Sequence, residues 1–310
     1  MKLSFVFPGQ GSQSVGMMQG FESMPIVRET FTEASDVLAQ DLWQMVTMGT
    51  AEQLGMTVNT QPVMLAAGVA TYRAWLRQGG QAPEVMAGHS LGEYSALVAA
   101  GALSFADALP LVRLRAQAMQ GAVAEGVGAM AAILGLDDDV VRVVCAEAAQ
   151  GEVLESVNFN SPGQVVIAGN KTAVERGMAL ATEKGAKRAL LLPVSVPSHC
   201  ALMRPAAEQL AAYLESVTIN APQIPVLHNA DVMAYSDPAQ IRSALARQLY
   251  SPVRWVETMR AMAKLGVTHV VECGPGKVLA GLGKRIDNNI QAYALTSAGA
   301  INEIKSVLAG

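Results

Sequence analysis

The sequence lacks the features that mark several large classes of protein. Its three cysteines, Cys145, Cys200 and Cys273, are far apart and lack Cys-x-x-Cys spacing, so neither a disulfide framework nor a zinc site is indicated. The 22 basic and 26 acidic residues give a net charge of −4 without a basic block, which argues against nucleic-acid binding. No apolar run approaches the ~18 residues that cross a bilayer. We therefore expect a cytoplasmic protein that binds neither membrane, nucleic acid nor metal.

What the chain does have is enough apolar sequence for a large core, with 51% hydrophobic residues among 310. Short apolar runs with strand character alternate with long helical patterns. This alternation predicts an α/β fold whose main lobe has a mainly parallel sheet flanked by helices. The predicted strands lie at 3–7, 85–87, 226–228 and 267–273, and the clearest helices at 61–77 and 106–123.

The segment 126–195 has a different rhythm. Its patterns predict two helices, at 137–150 and 171–184, and four strands, at 129–135, 153–159, 164–168 and 187–194. The resulting order, βαββαβ, is that of a ferredoxin-like unit. We expect this segment to be a small subdomain inserted into a large lobe that is formed by residues 1–125 and 196–310.

Ser90 lies in the pentapeptide Gly-His-Ser-Leu-Gly at 88–92, between an apolar strand and a helix-prone stretch. In that context the Gly-x-Ser-x-Gly pattern indicates a nucleophile elbow, as in the α/β-hydrolase core, because the glycines allow a sharp turn that projects the serine hydroxyl. The alternative interpretation is a glycine-rich turn whose serine caps the following helix.

A serine hydroxyl needs a base to become a good nucleophile, and the chain has four histidines. His89 adjoins Ser90, where neighbouring side chains diverge, and His228 and His269 fall in or beside predicted strands. His199 lies on a loop where a strand ends and a helix begins, which favours it as the base. No acid stands out at the end of a main-lobe strand, so a backbone carbonyl could orient the histidine instead.

Two glycine-containing loops fail the tests for nucleotide sites. The loop after the first strand has Ser14 where the Gly-x-Gly-x-x-Gly pattern needs its third glycine, and the loop at 274–277 is followed by Val278 where a P-loop needs Ser or Thr. The first loop could instead expose the amide of Gln10 beside that of Leu91, forming an oxyanion hole. No tightly bound cofactor is expected.

Arg113 and Arg115 interrupt an otherwise apolar helical pattern. Two residues apart on a helix, they face different directions, so at least one is expected to turn toward the interior or a cleft. Such an arginine can grip a carboxylate through two parallel hydrogen bonds, whereas the alternative for either residue is a solvated side chain. Met119, one turn beyond Arg115, either shapes a pocket or fills the core.

Several long motifs together resemble the malonyl-CoA:acyl carrier protein transacylases of fatty acid synthesis, and the resemblance covers nearly the whole chain. The motifs are Phe-Pro-Gly-Gln-Gly-Ser-Gln at 7–13, Gly-His-Ser-Leu-Gly-Glu-Tyr at 88–94, Asn-Phe-Asn-Ser-Pro-Gly-Gln at 158–164, Pro-Ser-His-Cys at 197–200 and Arg-Gln-Leu-Tyr at 247–250.

The resemblance implies a role for each matched residue. Ser90 would be the nucleophile and His199 its base, and the main-chain carbonyl of Gln248 would orient His199. The remaining roles are the oxyanion amides of Gln10 and Leu91, binding of the malonyl carboxylate by Arg115, and a position near the cleft for Asn160 and Gln164.

The implied reaction moves a malonyl group from malonyl-CoA to the phosphopantetheine thiol of acyl carrier protein through a malonyl-serine ester. Three alternatives remain open. A serine thioesterase would use the same elbow with water as acceptor. An acyltransferase subunit of a polyketide or malonate decarboxylase system would share the chemistry in another context. A non-catalytic scaffold would use Ser90 only as a helix cap.

Overall fold

The computed structural model describes residues 1–194 and 196–309, which form two β-sheets with helices packed around them. The strands of the larger sheet are β1 Leu3–Phe7, β2 Val85–Gly88, β7 Val226–Leu227, β8 His269–Cys273 and β9 Gln291–Leu295. All five are parallel, in the order β7-β2-β1-β8-β9. The predicted α/β class with a parallel main sheet is confirmed.

The central strand β1 is buried along its whole length because helices cover both faces of the sheet. Phe5 and Phe7 face one layer, where Phe5 makes edge-on contacts with Tyr72 and Trp75. Val6, which points the other way, packs in a second cluster with Trp255. A strand buried on both faces reads as a continuous apolar run, which is why the sequence marked β1 clearly.

Thirteen α-helices lie in the described part of the chain. They are α1 Pro25–Leu38, α2 Leu42–Met48, α3 Ala51–Gly55, α4 Thr57–Arg77, α5 Gly92–Ala99, α6 Phe105–Gly121, α7 Asp138–Ala149, α8 Lys171–Glu183, α9 Arg204–Leu214, α10 Pro238–Gln248, α11 Trp255–Lys264, α12 Val278–Ile286 and α13 Ala298–Ala309. None of these helices is both long and apolar enough to cross a membrane.

The strands of the smaller sheet are β3 Gly128–Leu134, β4 Leu154–Ser161, β5 Gln164–Asn170 and β6 Arg188–Leu191. This sheet is antiparallel and has the order β4-β5-β3-β6. With α7 and α8 between them, the strands follow the predicted βαββαβ order. A separate apolar cluster, which includes Ile133 and Val165, joins this sheet to the two helices.

The small sheet is hydrogen-bonded to the loop that precedes α11 in the rest of the chain. The amide of Phe159 in β4 donates to the carbonyl of Val253 over 3.0 Å, and the amide of Val253 donates to Val157 over 2.8 Å. The division into 1–125 with 196–310 and 126–195 stays a prediction, and its boundary at Ser195 lies outside the described residues.

The turn between β2 and α5 is built on close backbone packing. A Cβ on Gly88 would lie 1.8 Å from the carbonyl carbon of Gly92, and one on Gly92 would lie 2.0 Å from the carbonyl oxygen of Phe7. The helix therefore starts in direct contact with the ends of two strands. Only glycine leaves room for that approach.

This packing predicts different outcomes for alanine at two glycines. Gly88→Ala should destabilise the protein by about 2–4 kcal/mol, because the new Cβ meets backbone that cannot move aside. Gly281→Ala, in the middle of α12 with no atom within 4 Å of its Cβ, should stabilise it by up to about 1 kcal/mol. Denaturant unfolding measures both, and equal stability of the two variants would contradict the packing account.

Candidate active site

A cavity opens where the carboxyl ends of the main strands meet the small sheet. Six of the residues singled out from the sequence line it, namely Gln10, Ser90, Leu91, Arg115, Met119 and His199. The small sheet and the segment after it contribute further lining residues, among them Met130, Asn158, Leu192 and Val194. The last two belong to a stretch predicted as strand, but β6 ends at Leu191 and the chain after it forms part of the cavity wall.

Ser90 occupies the turn from β2 to α5 with a left-handed backbone, at φ 52°. A residue other than glycine seldom adopts this conformation, so surrounding contacts must hold it. One such contact is the hydrogen bond from the Ser90 amide to Oδ1 of Asn229, at 2.7 Å. The Asn229 side chain also donates from Nδ2 to the carbonyl of Gly88, so it spans the turn.

His199 lies against Ser90, more than a hundred residues away in the sequence. Its Nε2 is 2.8 Å from the Oγ of Ser90, and its Nδ1 is 2.8 Å from the main-chain oxygen of Gln248 at the end of α10. A carbonyl oxygen can only accept, so Nδ1 carries the proton and Nε2 presents its lone pair to the hydroxyl. This tautomer can take a proton from Ser90.

The environment keeps His199 neutral. Burial lowers the pKa of its imidazole from 6.5 to about 3, and the positive charge of Arg115 adds to the effect. Burial also lowers the pKa of His89. A neutral imidazole is the form that can act as a base, so the site holds the proton acceptor ready throughout the neutral range.

Gln10 and Leu91 both line the cavity together with Ser90. Within residues 1–194 and 196–309, neither main-chain amide donates a hydrogen bond. The two loops approach closely because Gly9 has no side chain: a Cβ there would lie 2.5 Å from the carbonyl oxygen of His89 and 3.7 Å from the Leu91 nitrogen. Two free amides beside a serine hydroxyl are suited to holding an oxyanion.

Arg115, on α6, is 1% exposed and turns into the site, whereas Arg113 is half-buried on another face of the helix. Its guanidinium donates to Oε1 of Gln61 on α4 at 2.8 Å, to Oε1 of Gln248 at 2.9 Å and to Oγ of Ser90 at 3.2 Å. The ring of Tyr94 lies beneath it, with the ring centre 5.4 Å from the guanidinium carbon.

Arg115 makes no ion pair with any acidic side chain in the described part of the chain. Its Nε is buried and has no hydrogen-bond partner there. Burial lowers the pKa of this guanidinium, and the nearby Tyr94 and Glu93 oppose that effect. A buried cation without a carboxylate is costly, and a carboxylate in the adjoining cavity would supply the missing partner.

Met119, Asn160 and Gln164 occupy different positions relative to the cavity. Met119 lines the cavity, and its sulfur lies 3.7 Å from Nε2 of Gln61. Asn160, in β4, is not among the cavity-lining residues, and its Oδ1 lies 2.8 Å from Nε2 of His89 next to Ser90. Gln164 is not among the cavity-lining residues, and its side chain accepts a hydrogen bond from Arg285. A role for Gln164 in substrate binding stays a prediction.

Sequence reasoning missed three polar side chains of the site: Gln61, Glu93 and Asn229. Each left a signal. Gln61 is polar within an apolar helical run, Glu93 is the only acid in the stretch after the elbow, and Asn229 follows a strand at the same sheet edge as Ser90. Polar groups at the carboxyl ends of parallel strands meet there. His228, which falls within a predicted strand, is fully buried against Glu93.

Comparison with known proteins agrees with this geometry. Residues 4–300 match the family model of the acyl transferase domain. The malonyl CoA-acyl carrier protein transacylase of Haemophilus influenzae is 58% identical over 99% of both chains, and that of Escherichia coli K12 is 58% identical over 97% of both. The chain belongs to the malonyl CoA-acyl carrier protein transacylase family.

Solved structures of other members have the same fold. The acyl-carrier-protein S-malonyltransferase of Burkholderia pseudomallei superposes with a TM-score of 0.98 at 59% identity, covering 99% of this chain and 100% of that one. A malonyl-transacylase in complex with its type II polyketide synthase acyl-carrier protein superposes with a TM-score of 0.98 at 52% identity, covering 99% and 100%.

The site's electrostatics predict the pH dependence of Ser90 reactivity. Because the pKa of His199 lies near 3, well under the ordinary 6.5, the base-competent neutral form persists as the pH falls through 6.5. The rate of Ser90 labelling by a serine-directed phosphonate should therefore stay constant as the pH falls through 6.5. It should decline only when the pH is about one unit or more below that value. In Arg115→Gln the lost positive charge raises the pKa of His199, so the decline should begin at higher pH.

Circular dichroism at each pH serves as the control for folding. A parent midpoint at or above 6.5, or one unchanged in Arg115→Gln, would contradict the electrostatic account.

Proposed function

We propose that this protein transfers the malonyl group from malonyl-CoA to the phosphopantetheine thiol of acyl carrier protein, through a malonyl ester of Ser90, and so supplies fatty acid synthesis. One observation carries the proposal. The Oγ of Ser90 lies within hydrogen-bond distance of both the lone pair of His199 and the buried guanidinium of Arg115. Nucleophile, base and carboxylate receptor therefore meet at a single atom.

In the first half-reaction, His199 takes the hydroxyl proton as Ser90 Oγ attacks the thioester carbon. The amides of Gln10 and Leu91 hold the oxyanion that forms. When the tetrahedral intermediate collapses, the carbon–sulfur bond breaks and Nε2 of His199 gives its proton to the departing thiolate of coenzyme A. The product is a malonyl-serine ester with His199 neutral again.

The second half-reaction repeats these steps with the carrier protein's thiol. His199 takes the thiol proton, the sulfur attacks the ester carbon, and the two amides again hold the oxyanion. The carbon–oxygen bond to Ser90 then breaks and His199 returns the proton to Oγ. Atoms and charges balance without a tightly bound cofactor. Because coenzyme A leaves before the carrier protein's thiol reacts, the kinetics are ping-pong.

Arg115 selects the acyl group. Its guanidinium would turn from Gln61 and Gln248 to pair with the malonyl carboxylate at the far end of the acyl chain. An acetyl group has no carboxylate and leaves Arg115 unpaired. Met119 would bound the space beside that carboxylate, where it already touches Gln61.

The runner-up functions differ in the acceptor. A thioesterase would pass the acyl group to water, and Arg115 together with the family membership favours the transferase. A polyketide carrier protein is the second acceptor that an observation supports, because one similar structure is a complex with such a carrier. The chemistry at Ser90 is the same in both. We place the activity in the cytoplasm.

Intact-mass spectrometry tests the proposal directly. Brief exposure to malonyl-CoA should add one malonyl group to the protein, and adding the phosphopantetheine-bearing carrier protein should remove it and charge the carrier. Ser90→Ala should gain no mass, because it lacks the attacking oxygen. Ser95→Ala, which removes another buried hydroxyl of α5, is the matched control and should gain the group like the parent.

Mass added to Ser90→Ala, or none added to the parent, would contradict the proposal. Rapid loss of the group to water without carrier protein would support the thioesterase instead.

A further inference from the structure

We propose that Glu93 is the positioning residue of this site. Its side chain is long enough for the carboxylate to hydrogen-bond both to the residue that fixes the Ser90 elbow and to the residue whose carbonyl orients His199. The inference rests on the function proposed above and adds a residue to it. Glu93 does not touch the reacting atoms. It acts through Asn229 and Gln248.

The carboxylate of Glu93 is completely buried on the first turn of α5. Its Oε1 accepts from Nδ1 of His228 at 2.7 Å. Its Oε2 accepts from the main-chain amide of Asn229 at 2.9 Å and from Nε2 of Gln248 at 3.0 Å. Three donors from two separate segments of the chain therefore converge on one side chain, which stands three residues after Ser90.

The contact with Asn229 reaches the nucleophile. Glu93 fixes the backbone of Asn229, and the Asn229 side chain then accepts from the amide of Ser90 at 2.7 Å and donates to the carbonyl of Gly88 at 2.6 Å. These two hydrogen bonds straddle the left-handed residue of the elbow. The direction of the Ser90 hydroxyl thus depends on where Glu93 holds Asn229.

The contact with Gln248 reaches the base and the acyl-group receptor. The main-chain oxygen of Gln248 orients His199. The side chain of the same residue accepts from Arg115 at 2.9 Å and donates to the main-chain oxygen of Ser90 at 2.9 Å. Because Glu93 accepts from the Nε2 of Gln248, it fixes which end of that amide faces Arg115.

Glu93 thus helps to orient the histidine indirectly, whereas the acid of a serine triad does so in direct contact. In a triad the carboxylate accepts from the histidine and fixes its orientation. Here the main-chain carbonyl of Gln248 accepts from the histidine instead, and the carboxylate of Glu93 accepts from the side chain of Gln248. The arrangement keeps a negative charge out of contact with Arg115 while still using a carboxylate's capacity to accept several hydrogen bonds.

Two conservative substitutions distinguish the effect of the length of the Glu93 side chain from the effect of its charge. Glu93→Asp keeps the charge, but the carboxylate is one methylene shorter and cannot contact all three donors. Glu93→Gln keeps the length: its oxygen can accept from Asn229 and Gln248, while its amide faces His228. The Nε2 of His228 has no partner in the described part of the chain, so that ring can move its proton there and accept at Nδ1.

The measurements are the rate of Ser90 labelling by a fluorophosphonate, which needs neither malonyl-CoA nor carrier protein, and the single-turnover rate of malonylation. Glu93→Asp should slow both by about tenfold or more, since small misplacements of reacting groups are costly. Glu93→Gln should stay within about threefold of the parent. Asn229→Ala should be slow, and combining it with Glu93→Asp should slow labelling by no more than a further threefold, because the two act in one chain of contacts.

Glu272→Asp is the matched control. Glu272 is the other fully buried glutamate of the described chain, where it caps α12 by accepting from the amide of Ala280. This variant should lose thermal stability without a change in the labelling rate of the folded protein.

Parent-like labelling by folded Glu93→Asp, equal slowing in Glu93→Gln and Glu93→Asp, or additive effects with Asn229→Ala would each overturn the proposal. If Glu93→Asp does not fold, parent-like labelling by Asn229→Ala would overturn it as well. Failure of the parent to become malonylated would instead contradict the proposed function, whatever the phosphonate comparison gives.

Discussion

The rest of the site depends on a buried guanidinium that is left without a carboxylate. Arg115 has two glutamine oxygens, a serine hydroxyl and an aromatic ring around it, but no ion pair among the described residues. Neutral acceptors offset only part of the cost of burying a charge. The protein therefore carries an unsatisfied preference for an anion, located beside the hydroxyl that we propose forms the ester.

That charge also constrains how the base can be supported. A carboxylate hydrogen-bonded to His199 would lie close to Arg115 and compete with a malonyl group for it. The carbonyl of Gln248 orients the imidazole without carrying charge. The positive charge of Arg115 then lowers the pKa of His199 further and keeps the imidazole unprotonated. The use of a carbonyl in place of a triad acid and the proposed acyl-group selectivity thus follow from one arrangement.

Much of this organisation could be predicted from the sequence, where local patterns were strong. β1 was evident because burial on both faces produces an unbroken apolar run, and the βαββαβ order followed from clear periodicity. β9, at the edge of the main sheet, was missed because Gln291–Leu295 is only partly buried and its apolar signal is weak. The predicted end of β6 is three residues too late, because Leu192 and Val194 are apolar residues that line the cavity and do not belong to the sheet.

The site itself shows the limit of sequence reasoning. Ser90 could be identified because its turn leaves a local glycine signature, and His199 because it stands on a loop. The support by Glu93, Asn229 and Gln61 depends on side chains that meet only after folding, and no local pattern connects them. Gln164, expected near the cleft from the resemblance, accepts a hydrogen bond from Arg285 on α12, and its role in substrate binding stays a prediction.

The most direct test of the role of Arg115 is the ratio of kcat/KM for malonyl-CoA to that for acetyl-CoA, measured for the parent and for Arg115→Ala. The account predicts that the ratio falls by roughly 100-fold or more, because a buried carboxylate without its partner costs about 3–5 kcal/mol. A ratio unchanged in a folded Arg115→Ala variant would contradict it.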